Sequence, residues 1–144
     1  GFMMPQYTSA ALVSENKSLS FPASVDSIPT SLGQEDHVSM GSISARKTYQ
    51  VILNLEYILG VELLCAAQAF DYRKPMKSSN ILEACHNLVR AKIDHAEEDR
   101  IFANDIKVAH DIITSKRLIE LTYEVAQQEE INLKGPYYDL FGIH

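Results

Sequence analysis

The chain has 144 residues, 46% of them hydrophobic, and 13 basic against 19 acidic side chains give it a formal charge of −6. That length fits one ordinary domain, and the acidic balance excludes nucleic-acid binding driven by a basic patch. The two cysteines, Cys65 and Cys85, are too few for a disulfide scaffold and favour a reducing, cytoplasmic setting.

No basic region precedes Phe2-Met3-Met4, so no secretory leader is expected. Residues 3–17 predict a helix, with Met3, Tyr7, Ala10, Ala11 and Ser14 at helical spacing. It opens apolar and uncapped, which reads as a cut inside a longer polypeptide. Residues 18–34 turn rich in serine, and Pro22 and Pro29 forbid a continuous helix there. Leu19, Phe21, Val25, Ile28 and Leu32 are more apolar surface than a disordered linker needs, so an ordered loop is expected.

A long helix is predicted over about 38–72. Its apolar residues, from Val51 through Phe70, point in nearly every direction around the axis. Such a helix must be surrounded, which implies partners. Asn54, Glu56, Glu62 and Gln68 interrupt it, and on that ground a membrane span is excluded. Asn80 and Glu83 fit a capping box that opens a helix running to Ile93. Asp94 to Arg100 reads as a connection, and Asn104 as the cap of a helix carrying Ile106 to Ile113. A last helix covers about 116–129, and Tyr137 to Phe141 forms an apolar tail expected to pack down. No alternating strand pattern is present, so the class is all-α.

Most catalytic signatures are missing: there is no glycine-rich phosphate loop, CxxC, HExxH or GxSxG. The five histidines are scattered and Cys85-His86 diverge on a helix, so no metal site is expected. One constellation stands apart, Gln34-Glu35-Asp36-His37-Val38-Ser39-Met40-Gly41, where the loop enters the long helix. Helix-start chemistry is one explanation, with Asp36 or Ser39 as the cap. The other is a carboxylate delivered into a pocket and tuned by its neighbours.

The blocks Met3 to Gln6, Ala10 to Lys17, Pro22 to Ser31 and Gln34 to Gly41 strongly resemble the histidine ammonia-lyases of the aromatic amino acid ammonia-lyase family. The likeness continues through Val61 to Gln68 and Asp71-Tyr72-Arg73 and weakens beyond them. It implies a fumarase/aspartase-like helical bundle assembled as a homotetramer. Residues 1–73 would end its central core, with an active-site loop at 18–40, and residues 74–144 would form a carboxy-terminal helical region. The implied reaction converts L-histidine to urocanate and ammonia. Its electrophile is a methylidene-imidazolone, formed from an Ala-Ser-Gly that this chain lacks. The nearest string here is Ala23-Ser24-Val25.

The resemblance therefore implies a carboxy-terminal quarter of such an enzyme, inactive alone and completed by upstream segments and other subunits. It makes Glu35 the catalytic and substrate-binding carboxylate beside the imidazole, and Met3 a second substrate contact. Gln34 and His37 would anchor the loop by hydrogen bonds, and Asp36 would be structural. Phenylalanine-type relatives carry an amide where Glu35 stands, so Glu35 favours histidine. The alternatives are another aromatic ammonia-lyase or aminomutase, or a non-catalytic helical oligomerisation module.

Overall fold

A computed structural model describes residues 1–25 and 27–133. Among these, five α-helices carry the structure: α1 (Met3–Leu19), α2 (Gly41–Asp71), α3 (Asn80–Arg90), α4 (Ala103–Thr114) and α5 (Arg117–Gln128). Two single 3-10 turns, Ala23–Val25 and Ser31–Gly33, shape the connection between α1 and α2. The all-α expectation holds; the expected packing of the 137–141 tail lies outside the described residues.

Local chemistry explains most boundaries. Pro5 sits in the first turn of α1, where its missing N–H costs no helical bond, and is the one residue buried along that helix. No side chain caps that helix start, as its apolar opening suggested. At the other end the Ser18 and Ser20 hydroxyls donate to the carbonyls of Glu15 (2.7 Å) and Asn16 (2.8 Å), and Pro22 stops further helix.

Helix α2 begins at Gly41, later than expected. Its N-cap position is Met40, with no side-chain cap; Ser39, one residue earlier, accepts from the Gly41 N–H at 3.2 Å, so neither Asp36 nor Ser39 is the cap. The cap of α3 is Ser79 rather than Asn80. The Ser79 hydroxyl accepts from Leu82 N–H at 3.4 Å, and Glu83 reaches back to Ser78 N–H at 2.8 Å. Asn80 instead donates to Glu129, beyond α5. Asn104 is not a cap either: α4 starts after Phe102 with no side-chain cap, and Asn104 lies inside its first turn.

The core forms where α2 meets α3, α4 and the segment between them. Val61, Leu64 and Ala67 pack with Val89, Ile93, Phe102, Ile106, Ala109 and Ile112. This cluster runs across residue 73, so the two halves of the chain share one interior. Gly60 lets α2 and α4 approach closely: a β-carbon there would lie 3.0 Å from the His110 backbone nitrogen. Helix α1 is joined to α2 through buried Asn54, whose amide donates to Glu15 and Asn16 at 2.9 Å each and whose carbonyl accepts from Gln50 at 3.0 Å.

The 31-residue α2 is not enclosed by this chain. Its buried stripe is Asn54, Gly60, Val61, Leu64, Ala67 and Gln68, while Tyr49, Ile52 (48% exposed), Leu55 (46% exposed) and Leu59 face outward. By length and composition α2 is apolar enough to cross a bilayer, with a best-window mean hydropathy of 1.5. The polar interruptions therefore do not exclude a span by themselves, contrary to the expectation from sequence. What marks α2 as the central helix of a bundle is its packing against α1, α3 and α4, sealed by amides at Asn54 and Gln68.

Candidate functional site

The segment between α1 and α2 is a small irregular hairpin built around Glu35. Thr30 and Glu35 form an antiparallel bridge, with Thr30 N–H donating to Glu35 carbonyl at 2.8 Å and Glu35 N–H returning at 3.3 Å. The tip is tight because Ser31, Leu32 and Gly33 all take positive φ (54°, 57° and 83°). Only glycine adopts that geometry without strain, so the two non-glycine residues store some strain at the turn. Leu32 stands fully exposed at the apex.

Three residues below the bridge, on the same register, Ser27 closes a second rung. Its hydroxyl accepts from Val38 N–H at 2.8 Å and donates to Val38 carbonyl at 3.1 Å. The base of the hairpin is tied to α2 where Lys47 donates to the Phe21 carbonyl and sets its ammonium over the Phe21 ring.

This framework holds Glu35 beside the hairpin tip with its side chain exposed. Gln34, Asp36 and His37 are exposed beside it. Among the described residues none offers Glu35, Gln34 or His37 a side-chain hydrogen bond, so within this chain the loop is anchored by Ser27 rather than by Gln34 or His37. Met3 stands in the first turn of α1 and is 69% exposed. The loop follows the opposite end of that helix, roughly 25 Å away at 1.5 Å per residue.

The densest polar cluster is elsewhere, at the far end of α2, and sequence reasoning missed it. Asp71, 8% exposed, meets Arg90 Nε (2.7 Å) and His95 Nδ1 (2.8 Å) through one oxygen, and Lys74 Nζ (2.9 Å) and His86 Nε2 (3.0 Å) through the other. Burial disfavours the ionised Asp71, but Lys74, His95 and the Arg90 charge outweigh it and hold the carboxyl well below the usual carboxylate range.

Gln68 reads the Ala96 backbone with both ends of its amide, accepting at 3.1 Å and donating at 3.0 Å. That orientation aims Gln68 Nε2 at His95 Nε2 (3.0 Å), which must accept, leaving His95 Nδ1–H to donate to Asp71. The Arg90 guanidinium also caps the Ile93 carbonyl at 2.9 Å. The cluster thus clamps α2, α3 and residues 93–96 together. Its members offer a proton acceptor, and among the described residues no group of three ligating side chains could hold a metal. The only signal in sequence was the pair His86 and Arg90, four apart on one face of α3.

Neither cysteine stands out as a nucleophile. Both are half-buried and unpaired, and burial pushes the Cys65 thiol up, away from the reactive thiolate.

Residues 1–91 fit the model of the aromatic amino acid lyases, and the chain belongs to that family. It is 54% identical over 119 residues to histidine ammonia-lyase of Natranaerobius thermophilus, a match covering 83% of this chain and 24% of that protein. It is 51% identical over 124 residues to histidine ammonia-lyase of Caldanaerobacter subterraneus, covering 86% and 24%. Among solved structures, histidine ammonia-lyase from Trypanosoma cruzi superposes with a TM-score of 0.82 at 44% identity, over 86% of this chain and 25% of that one. Tyrosine aminomutase from Streptomyces globisporus gives 0.80 at 36% identity, over 86% and 24%. The chain spans about a quarter of the length of the curated relatives it matches.

The methylidene-imidazolone implied by the family finds no source here. Ala23-Ser24-Val25 forms a 3-10 turn and carries valine where the cyclising Ala-Ser-Gly needs glycine. The residues of this chain do not make that group.

Proposed function

We propose that this chain supplies the Glu35-bearing quarter of a histidine ammonia-lyase acting on L-histidine. The observation that carries the reading is the hairpin: two rungs and a strained tip fix the backbone of a carboxylate that no side chain among the described residues neutralises. A carboxylate so held suits an imidazole, whose ring N–H it can accept and whose proton movements it can buffer while the amine departs. Identities near 50% to histidine ammonia-lyases, against 36% to a tyrosine aminomutase, support histidine over tyrosine.

The complete enzyme releases urocanate and ammonia, as a step of histidine catabolism in the cytoplasm. Its prosthetic methylidene-imidazolone comes from a segment outside these residues. Met3 is a second substrate contact under this reading; it stands in the first turn of α1 while the loop that carries Glu35 follows the last, and different copies or folded-over segments can bring the two to one pocket. A homotetramer offers such copies, and it covers the outward apolar residues of α2. The 144-residue chain alone is inactive under this reading.

The test is Glu35→Ala in the full-length enzyme, assayed on histidine, tyrosine and phenylalanine. Wild type prefers histidine and forms the unsaturated acid, and the variant loses about 100-fold or more in turnover, the range of a lost acid–base group. Normal turnover in the variant refutes the role given to Glu35. The structural likeness to tyrosine aminomutases favours a second reading, an aminomutase; accumulation of a β-amino acid in place of the unsaturated acid would identify it.

A further inference from the structure

We infer that Ser27 is a positioning residue for the reaction, acting through Glu35; the inference rests on the role proposed for Glu35. Among the described residues two cross-links join the arms of the hairpin, and they do different work. The Thr30–Glu35 bridge is made by backbone and survives any side chain. The other depends on one hydroxyl. Ser27 Oγ is both acceptor for Val38 N–H (2.8 Å) and donor to Val38 carbonyl (3.1 Å), satisfying both polar groups of one residue as a neighbouring strand would.

The 27/38 position is one where an antiparallel ladder in this register places no backbone hydrogen bond, so nothing else in the hairpin duplicates the link. Both residues are half-buried, which limits how well water can replace it. Val38 lies three residues beyond Glu35 and just before α2. Without the hydroxyl, the arm between the Thr30 bridge and the start of α2 loses its tie to the facing arm and can bow between those two fixed points. A carboxylate that must meet both an imidazole and a departing proton tolerates little displacement: a shift of about 1 Å can cost up to 100-fold in rate. Among the described residues neither Gln34 nor His37 has a partner that would make it a substitute anchor.

The experiment is a double-mutant cycle in the full-length enzyme, read as turnover on histidine with melting temperature as a folding control. Ser27→Ala is expected to lose about 10-fold or more in kcat. In a Glu35→Ala background the same change has no further effect, because the group it positions is gone. A merely structural serine lowers the melting temperature and multiplies the two losses instead. The isosteric pair Ser27→Thr and Ser27→Val separates the hydroxyl from side-chain shape: threonine keeps kcat within about 3-fold of wild type and valine behaves like alanine.

Wild-type kcat in Ser27→Ala, multiplicative losses in the cycle, or equal activity of the threonine and valine variants overturns the inference. The outcomes also separate it from the reading it rests on. An active Glu35→Ala enzyme removes both, whereas an inactive Glu35→Ala beside a fully active Ser27→Ala removes this one alone.

Discussion

Gly60 is where two helices touch backbone to backbone, and adding one methyl there sets two effects of opposite sign against each other. A β-carbon at Gly60 would lie 3.0 Å from His110 N, 3.2 Å from His110 Cα and 3.4 Å from Ala109 C, all main-chain atoms of α4. Carbon atoms prefer about 3.5–4.0 Å, so the overlap is several tenths of an ångström along a whole peptide. Helix α4 cannot retreat freely, since Ala109 and Ile112 are wholly buried against α2 and its neighbours. Overpacking of this kind costs about 1–3 kcal/mol. Against it, alanine is favoured over glycine inside a helix by about 1 kcal/mol. The net expectation for Gly60→Ala is a loss of about 1 kcal/mol, or roughly 3 °C in melting temperature for a chain of this size. Thermal unfolding followed by circular dichroism at one fixed protein concentration measures it. Gly41→Ala serves as the control, because there the new methyl meets only the Ser39 hydroxyl, at 3.3 Å, which can rotate away. A Gly60→Ala chain that melts at or above wild type would mean that α4 yields and that propensity, not contact, decides the sign.

Two further outcomes follow from the clusters described above. Asp71→Asn is expected to destabilise the fold by about 3 kcal/mol, because it leaves buried Arg90 without its counter-charge; urea denaturation reads the change. The same residue gives a pH signature. With its native pKa held below the unfolded value of 3.8, the unfolded chain takes up the proton first, so stability is full above that value and falls as pH drops through the window beneath it. Asp71→Asn flattens that part of the curve; an unchanged acid slope refutes the assignment. The outward faces of α1 and α2, with Met3, Met4, Tyr7, Tyr49, Ile52 and Leu55 exposed, predict that the isolated chain self-associates or binds a hydrophobic dye. A monomer in sedimentation velocity with no dye signal contradicts this.

The helices were readable because apolar spacing and turn residues report directly on local backbone, and all five fall where periodicity puts them. Their caps were less so. Ser78, Ser79 and Asn80 are all competent caps, and only the path of the chain chooses Ser79. Along α2 the difficulty is physical. Asn54 and Gln68 look like solvent-facing interruptions, yet they are among its most buried residues, while Ile52 and Leu55 face out. Polarity predicts exposure only when no partner is waiting, and the partners of these amides, Glu15, Asn16 and Ala96, are set by tertiary contact. The Asp71 cluster was hidden for the same reason: helical spacing pairs 68 with 71 and 86 with 90, but only the fold brings the two pairs and His95 together. Glu35 differs again: short-range chemistry marked it only as a residue near a helix start, and the length of the matched blocks singled it out. Ser27 lay inside a matched block but carried no chemical signal of its own, because a serine among serines becomes distinctive only once the chain folds back and sets Val38 against it. Side chains that hold a functional group in place are thus the hardest to see in sequence, since their chemistry is ordinary and their partner is supplied by the fold.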